Sequence, residues 1–124
     1  MAPTAATIIL TDARELVARC WCQTDDARDA GGQRVQPDSP AACCWSLLGA
    51  IVASAGGAER LQSDRRTLAD VAKASLAVGL ATGDESLRDW NDAPNRTAAE
   101  VVAAFDDALT LLERFRPSAR DVLT

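Results

Sequence analysis

The chain has no histidine and no tyrosine among its 124 residues, and only two phenylalanines and three tryptophans. Without histidine there is no Ser-His-Asp triad, no Cys-His dyad and no imidazole metal ligand, which removes the common hydrolase chemistries. With so few aromatics, the core must be built from Ala, Leu, Val and Ile, which suits closely packed helices. Positive charge is also short. The net charge is −5 and the pI about 4.6, so binding by phosphate neutralisation, which needs a basic face, is not expected.

Long hydrophobic runs are missing too. Ile8-Ile9-Leu10 is too short for a leader core or a membrane span. The longest apolar stretch, Ala41 to Ala55, is broken by Ser46 and Ser54. With no basic leader region, the expectation is a cytoplasmic protein with reduced thiols and no membrane contact. The Asn95-Arg96-Thr97 sequon then carries no weight. Gly31-Gly32 and Gly56-Gly57 lack the strand, lysine and helix start of a phosphate loop. Neither internal repeats nor low-complexity tracts are visible.

What is present reads as one helical domain over residues 1–116, with a short tail at 117–124. Hydrophobic residues at 48% and charged ones at 25% fit an ordinary folded domain. Ile9, Ala13, Leu16, Val17 and Cys20 recur at helical spacing, predicting a first helix from about Thr4 to Arg19. Trp21 to Ser39 has no apolar period. Asp29-Ala30-Gly31-Gly32 signals a turn there, so this stretch is a long loop or a small hairpin. Ser39 as N-cap and Pro40 at the first helical position predict a second helix, with Cys44, Leu47, Leu48, Ile51, Val52 and Ala55 as its apolar stripe, ended by Gly56-Gly57. A third helix, from Leu61 or Thr67 to Leu80, is expected to bury Leu68, Val71, Ala72, Ser75, Leu76 and Gly79. Gly83 closes it, and a short turn or helix follows at Asp84 to Asp89. Thr97-Ala98-Ala99-Glu100 is a capping box worth about 1 kcal/mol. It opens a last helix with Val101, Phe105, Ala108, Leu109, Leu112 and Phe115 on its apolar face, stopped by Pro117. The predicted class is mainly α: a compact bundle or orthogonal array of four to five helices.

Few residues invite chemistry. Cys20, Cys22, Cys43 and Cys44 match the number a tetrahedral zinc site needs. Their spacing is wrong for zinc knuckles, though, and Cys43 and Cys44, read as helical neighbours, point about 100° apart. A Cys22–Cys44 disulfide runs against a reducing compartment. The four are read as small apolar residues in or near the core, with no metal and no cofactor. Asp25-Asp26, Asp106-Asp107 and Asp89 with Asp92 are carboxylate pairs read as solvated surface. Trp45, at the edge of the second helix, would mark a partner surface if exposed. Trp90-Asn91-Asp92-Ala93-Pro94-Asn95-Arg96-Thr97 stands out. It reads as an Asx-type turn with Trp90 plugging the core, or alternatively as a recognition surface carrying Asp92 and Arg96.

Trp21-Cys22-Gln23, Ala27-Arg28-Asp29-Ala30, Leu48-Gly49-Ala50-Ile51, and Asn91-Asp92-Ala93-Pro94-x-Arg96-Thr97 with Glu100-Val101 together resemble a bacterial and phage family of uncharacterised small proteins, a domain of unknown function. The resemblance spans about Trp21 to Leu111. The family pattern has cysteine where this chain has Ser46, and often glycine where it has Asn95. The departure at Ser46 puts a cysteine-dependent activity there in doubt. The resemblance implies a fold and a set of positions rather than a reaction. Gly49 and Ala50 are read as small residues that let a neighbouring backbone approach. The Trp21–Gln23 corner is expected to pack near the Trp90–Thr97 corner.

The functional expectation is a non-enzymatic accessory protein that binds another protein or itself, with Trp21, Cys22, Gln23, Trp90, Asn91, Asp92 and Arg96 as candidate binding residues. Two alternatives are a small enzyme or ligand-binding protein using the Asn91/Asp92/Arg96 corner, and an acidic inhibitor that imitates nucleic acid.

Overall fold

The computed structural model describes residues 3–114. In chain order the elements are α1 (Ala5–Arg19), β1 (Ala27–Arg28), β2 (Cys44–Trp45), α2 (Leu47–Ser54), α3 (Ala58–Ser63), α4 (Arg65–Thr82), α5 (Leu87–Asn91) and α6 (Ala98–Arg114). The protein is mainly α, with one two-stranded sheet among the described residues. The expected tail at 117–124, Phe115 and the Pro117 stop lie outside the described residues. No described helix is long and apolar enough to cross a membrane.

The long helices α1, α4 and α6 pack on one another, and α2 fills the space beside them. Leu10 and Val17 of α1, Leu47 and Ile51 of α2, Val78 of α4, and Val101 and Phe105 of α6 are fully buried. Alanines at 13, 50, 74 and 108 fill the gaps between them. This is the aliphatic, close-packed core that the scarcity of aromatics requires. Arg14 ties α1 to α6 through Asp106, with Nε 2.6 Å from the carboxylate.

Local signals set several boundaries. Thr4 caps α1, accepting from the Thr7 amide, and Gly83 closes α4 in the left-handed conformation. The box at α6 forms as expected. Thr97 Oγ1 accepts from the Glu100 amide at 3.2 Å, and Glu100 accepts from the Thr97 amide at 3.0 Å.

Three expectations are corrected. The second helix starts at Leu47, capped by the Ser46 side chain, and not at Ser39. Residues Cys44–Trp45 are taken instead by pairing with Ala27–Arg28, and this non-local pairing overrides the local cap signal. Trp45 is consequently buried on β2, its indole donating to the Pro37 carbonyl, so it offers no exposed partner surface. Of the face expected to be buried on the third helix, only Val71 is buried. Thr67, Val71, Ala74, Ala77 and Val78 point inward, while Leu68, Leu76 and Leu80 stand 52%, 65% and 63% exposed.

The Trp21–Ser39 stretch is ordered around a small hairpin. Arg28 bridges Arg34 across the Asp29–Gly32 turn, and the Asp29 carboxylate accepts from the Gly31 and Gln33 amides. Gly49 holds this layer against the core. A Cβ there would lie 1.8 Å from the Asp26 carbonyl oxygen, a backbone atom. The expected close approach is real, and it requires glycine.

Candidate functional site

The Trp21–Gln23 corner meets the Trp90–Arg96 corner, with Asn91 at the centre. Asn91 ends α5 and is only 1% exposed. Its Oδ1 accepts from the Trp21 indole at 2.7 Å and from the Leu47 amide at 3.0 Å, which satisfies an otherwise orphaned first-turn donor of α2. Its Nδ2 donates to the Cys22 carbonyl at 3.2 Å and to Asp92 Oδ1 at 3.0 Å. One side chain therefore joins the end of α1, the start of α2 and α5.

The neighbouring residues reinforce this clasp. Gln23 Nε2 donates to the Asn91 and Ala93 carbonyls. The Thr24 amide donates to Asp92 at 2.8 Å, with Thr24 held at φ +79°, a conformation that strains a β-branched residue. Arg88 bridges to Asp26. Arg96 stacks over the Trp90 ring at 3.9 Å, donates to the Trp90 carbonyl and pairs with Glu100. The Glu100 carboxyl is held below its usual range by its hydrogen bond from the Thr97 hydroxyl, then by the Thr97 amide and Arg96. Asn95 takes φ +67°, which asparagine and glycine tolerate best.

Asn91 and Asp92 thus bond across the fold rather than only within a local turn. The space beside them, bordered by Asp25, Ser46, Asn91 and Asp92, is about 10 Å³, too small for a substrate.

A larger hollow of about 560 Å³ is lined by Trp21, Cys22, Gln23, Arg28, Cys43 and Cys44. Cys20 and Cys44 are joined by a disulfide, with Cα atoms 4.5 Å apart. This corrects the reading of all four cysteines as unlinked apolar residues. The end of α1 and β2 run side by side, with the Trp45 amide donating to the Cys20 carbonyl and the Cys22 amide to the Trp45 carbonyl, and that pairing brings the two sulfurs together. Zinc would need Cys20 and Cys44 as thiolates. Cys43 sits next to β2 rather than on a helix and is exposed, whereas Cys22 is buried. The Cys22 thiol donates to the Asp25 carbonyl, and burial pushes its pKa up, partly offset by Arg28.

One further feature includes none of the candidate binding residues. A groove of about 840 Å³ runs along α4 between Ala72, Leu76 and Leu80 on one side and Leu48 and Leu87 on the other, with Asp84, Glu85 and Arg88 at its end. Ala72, Ser75, Leu76 and Gly79, which the sequence pattern places on the buried face of the third helix, line this groove instead.

Fold and site together define a small, mainly α domain whose long loop is clasped to its penultimate helix by a buried asparagine. The chain belongs to the family of unknown function DUF6197, whose model matches residues 1–111. Neither the curated proteins nor the solved structures contain a match.

Proposed function

We propose that this chain is a non-enzymatic interaction protein that engages another protein through the open face of α4. The observation that carries this reading is the exposure of Leu76 and Leu80, 65% and 63%, along one groove. Isolated exposed leucines are ordinary, but an apolar row lining a groove marks a contact surface. The reading includes a bacterial or phage setting, and the Cys20–Cys44 disulfide favours an oxidising compartment over the expected cytoplasm. Trapping thiols in cells tests the location, because a cytoplasmic pool keeps Cys20 and Cys44 reduced.

The alternatives draw less support. An enzyme centred on Asn91, Asp92 and Arg96 would need polar groups aimed at a substrate, and here they are committed to internal partners. A nucleic-acid mimic needs free, aligned carboxylates, whereas Asp25, Asp26, Glu100 and Asp106 each pair with an arginine.

The test is a photo-crosslinking amino acid placed at Leu76 and, separately, at the exposed Asp107 of α6, with irradiation in cells. The reading predicts a discrete protein adduct from position 76, abolished by Leu80→Glu, and none from 107. No adduct at 76, or equal yields at both positions, would overturn it.

A further inference from the structure

We infer that the occupant of the α4 groove is a second copy of this chain, packed antiparallel so that the two α4 helices cross about a two-fold axis near Ser75 and Leu76. The inference rests on the interaction reading above and names the partner.

The first argument is steric. The outer face of α4 carries large and small residues in alternation: Leu68, Ala72, Ser75, Leu76, Gly79 and Leu80, with Gly83 at the C-terminal cap. An antiparallel pairing centred between Ser75 and Leu76 sets Leu76 against Ser75, Leu68 against Gly83, and Ala72 against Gly79. Leu68 and Leu76 then each meet a small residue, while Leu80, whose counterpart Val71 faces inward, lies at the edge of the contact; two-fold symmetry makes every such contact twice. The space above the small residues is open in this chain: a Cβ at Gly83 would meet nothing within 4 Å, and at Gly79 only the Asp84 carbonyl at 3.7 Å. Helices with such faces approach at the short end of the usual 8–10 Å range.

The second argument is charge. Arg65 and Arg66 open α4, and Asp84 and Glu85 follow its end. Arg65 lies on the same stripe as Leu68, Ala72 and Leu76, and both Arg65 and Glu85 are exposed. Neither makes an ion pair among the described residues. In an antiparallel pair the basic start of one helix lies beside the acidic end of the other, at both ends of the interface. A parallel pair would stack like charges. The face is therefore complementary to itself in one orientation only, and complementarity of this kind fixes register and orientation.

Sedimentation equilibrium of the full chain over a range of concentrations provides the test, with circular dichroism confirming the fold of each variant. The expected result is a dimer of about twice the 13.1 kDa chain mass, reduced to monomer by Leu76→Glu with helicity unchanged. Arg65→Glu or Glu85→Arg alone should each weaken the dimer roughly fivefold. The double variant Arg65→Glu/Glu85→Arg should restore it. A chain that stays monomeric throughout would overturn the inference, and so would a dimer indifferent to Leu76→Glu. A dimer that ignores the charge exchange would overturn the antiparallel arrangement. A monomer that still yields a foreign-protein adduct at position 76 refutes the second copy and keeps the interaction reading. A monomer with no adduct refutes both.

Discussion

The clasp around Asn91 and the outer face of α4 are opposites. At the clasp, polar groups are buried and each finds a partner: indole, amide and carbonyl converge on one side chain. On α4, apolar groups are exposed, and nothing among the described residues covers them. Burying an unsatisfied polar group is costly, so a fully satisfied network inside a fold fixes structure. Exposing a row of leucines forgoes stabilisation that burial would give, so such a row is explained best by a partner outside the fold. The motif that drew attention in the sequence therefore holds the molecule together, and the stripe that looked like core faces outward.

Changes on the clasp side should unfold the protein, the most severe at Gly49. Gly49→Ala drives a methyl into the Asp26 carbonyl, where only backbone movement can relieve it. We expect a loss of about 4 kcal/mol or an unfolded chain, read by urea denaturation. Asn91→Ala strands the buried Leu47 amide and the Trp21 indole together. A loss of about 3 kcal/mol is expected, and Trp fluorescence during denaturation should report it.

Breaking Cys20–Cys44 with a reductant releases a crosslink spanning a sequence separation of 24. The chain-entropy estimate for such a loop is about 3 kcal/mol, measured as a lower denaturation midpoint in dithiothreitol. An unchanged midpoint would show that the pairing of Trp21 with Trp45 suffices without the bond.

Thr24→Gly should go the other way. It relieves a β-branched residue at φ +79° while keeping the amide that donates to Asp92. A gain of about 1 kcal/mol is expected, visible as a rise in Tm. A loss would mean that the threonine side chain contributes more than its backbone strain costs.

What could be read from the sequence follows the range of the interactions. The bounds of α1 and the start of α6 rest on local caps, Thr4 and the Thr97–Glu100 box, and these were legible. The closeness of the two motif corners and a close backbone approach at Gly49 or Ala50 were legible as well, from the positions that the family resemblance marks; that glycine itself is required at 49 is seen only in the structure. Three things were not. The start of α2 depends on Trp45 pairing with Ala27, a contact that no local signal announces, so Ser39-Pro40 reads as the helix start. The Cys20–Cys44 bond depends on the same pairing. On α4, leucine is more apolar than alanine and threonine, so the stripe through Leu68 and Leu76 looked like the core face. Burial falls instead on Thr67, Val71, Ala74, Ala77 and Val78, on a helix that packs against both α1 and α6.

The measurement that bears most directly on this contrast is the stability of Leu76→Glu, determined by urea denaturation at a concentration low enough to keep the chain monomeric. If α4's outer face belongs to a partner, the midpoint should stay within about 0.5 kcal/mol of the parent, as for a surface position. A loss above about 2 kcal/mol would mean that Leu76 supports the fold itself, and the account of α4 as an open contact surface would be wrong.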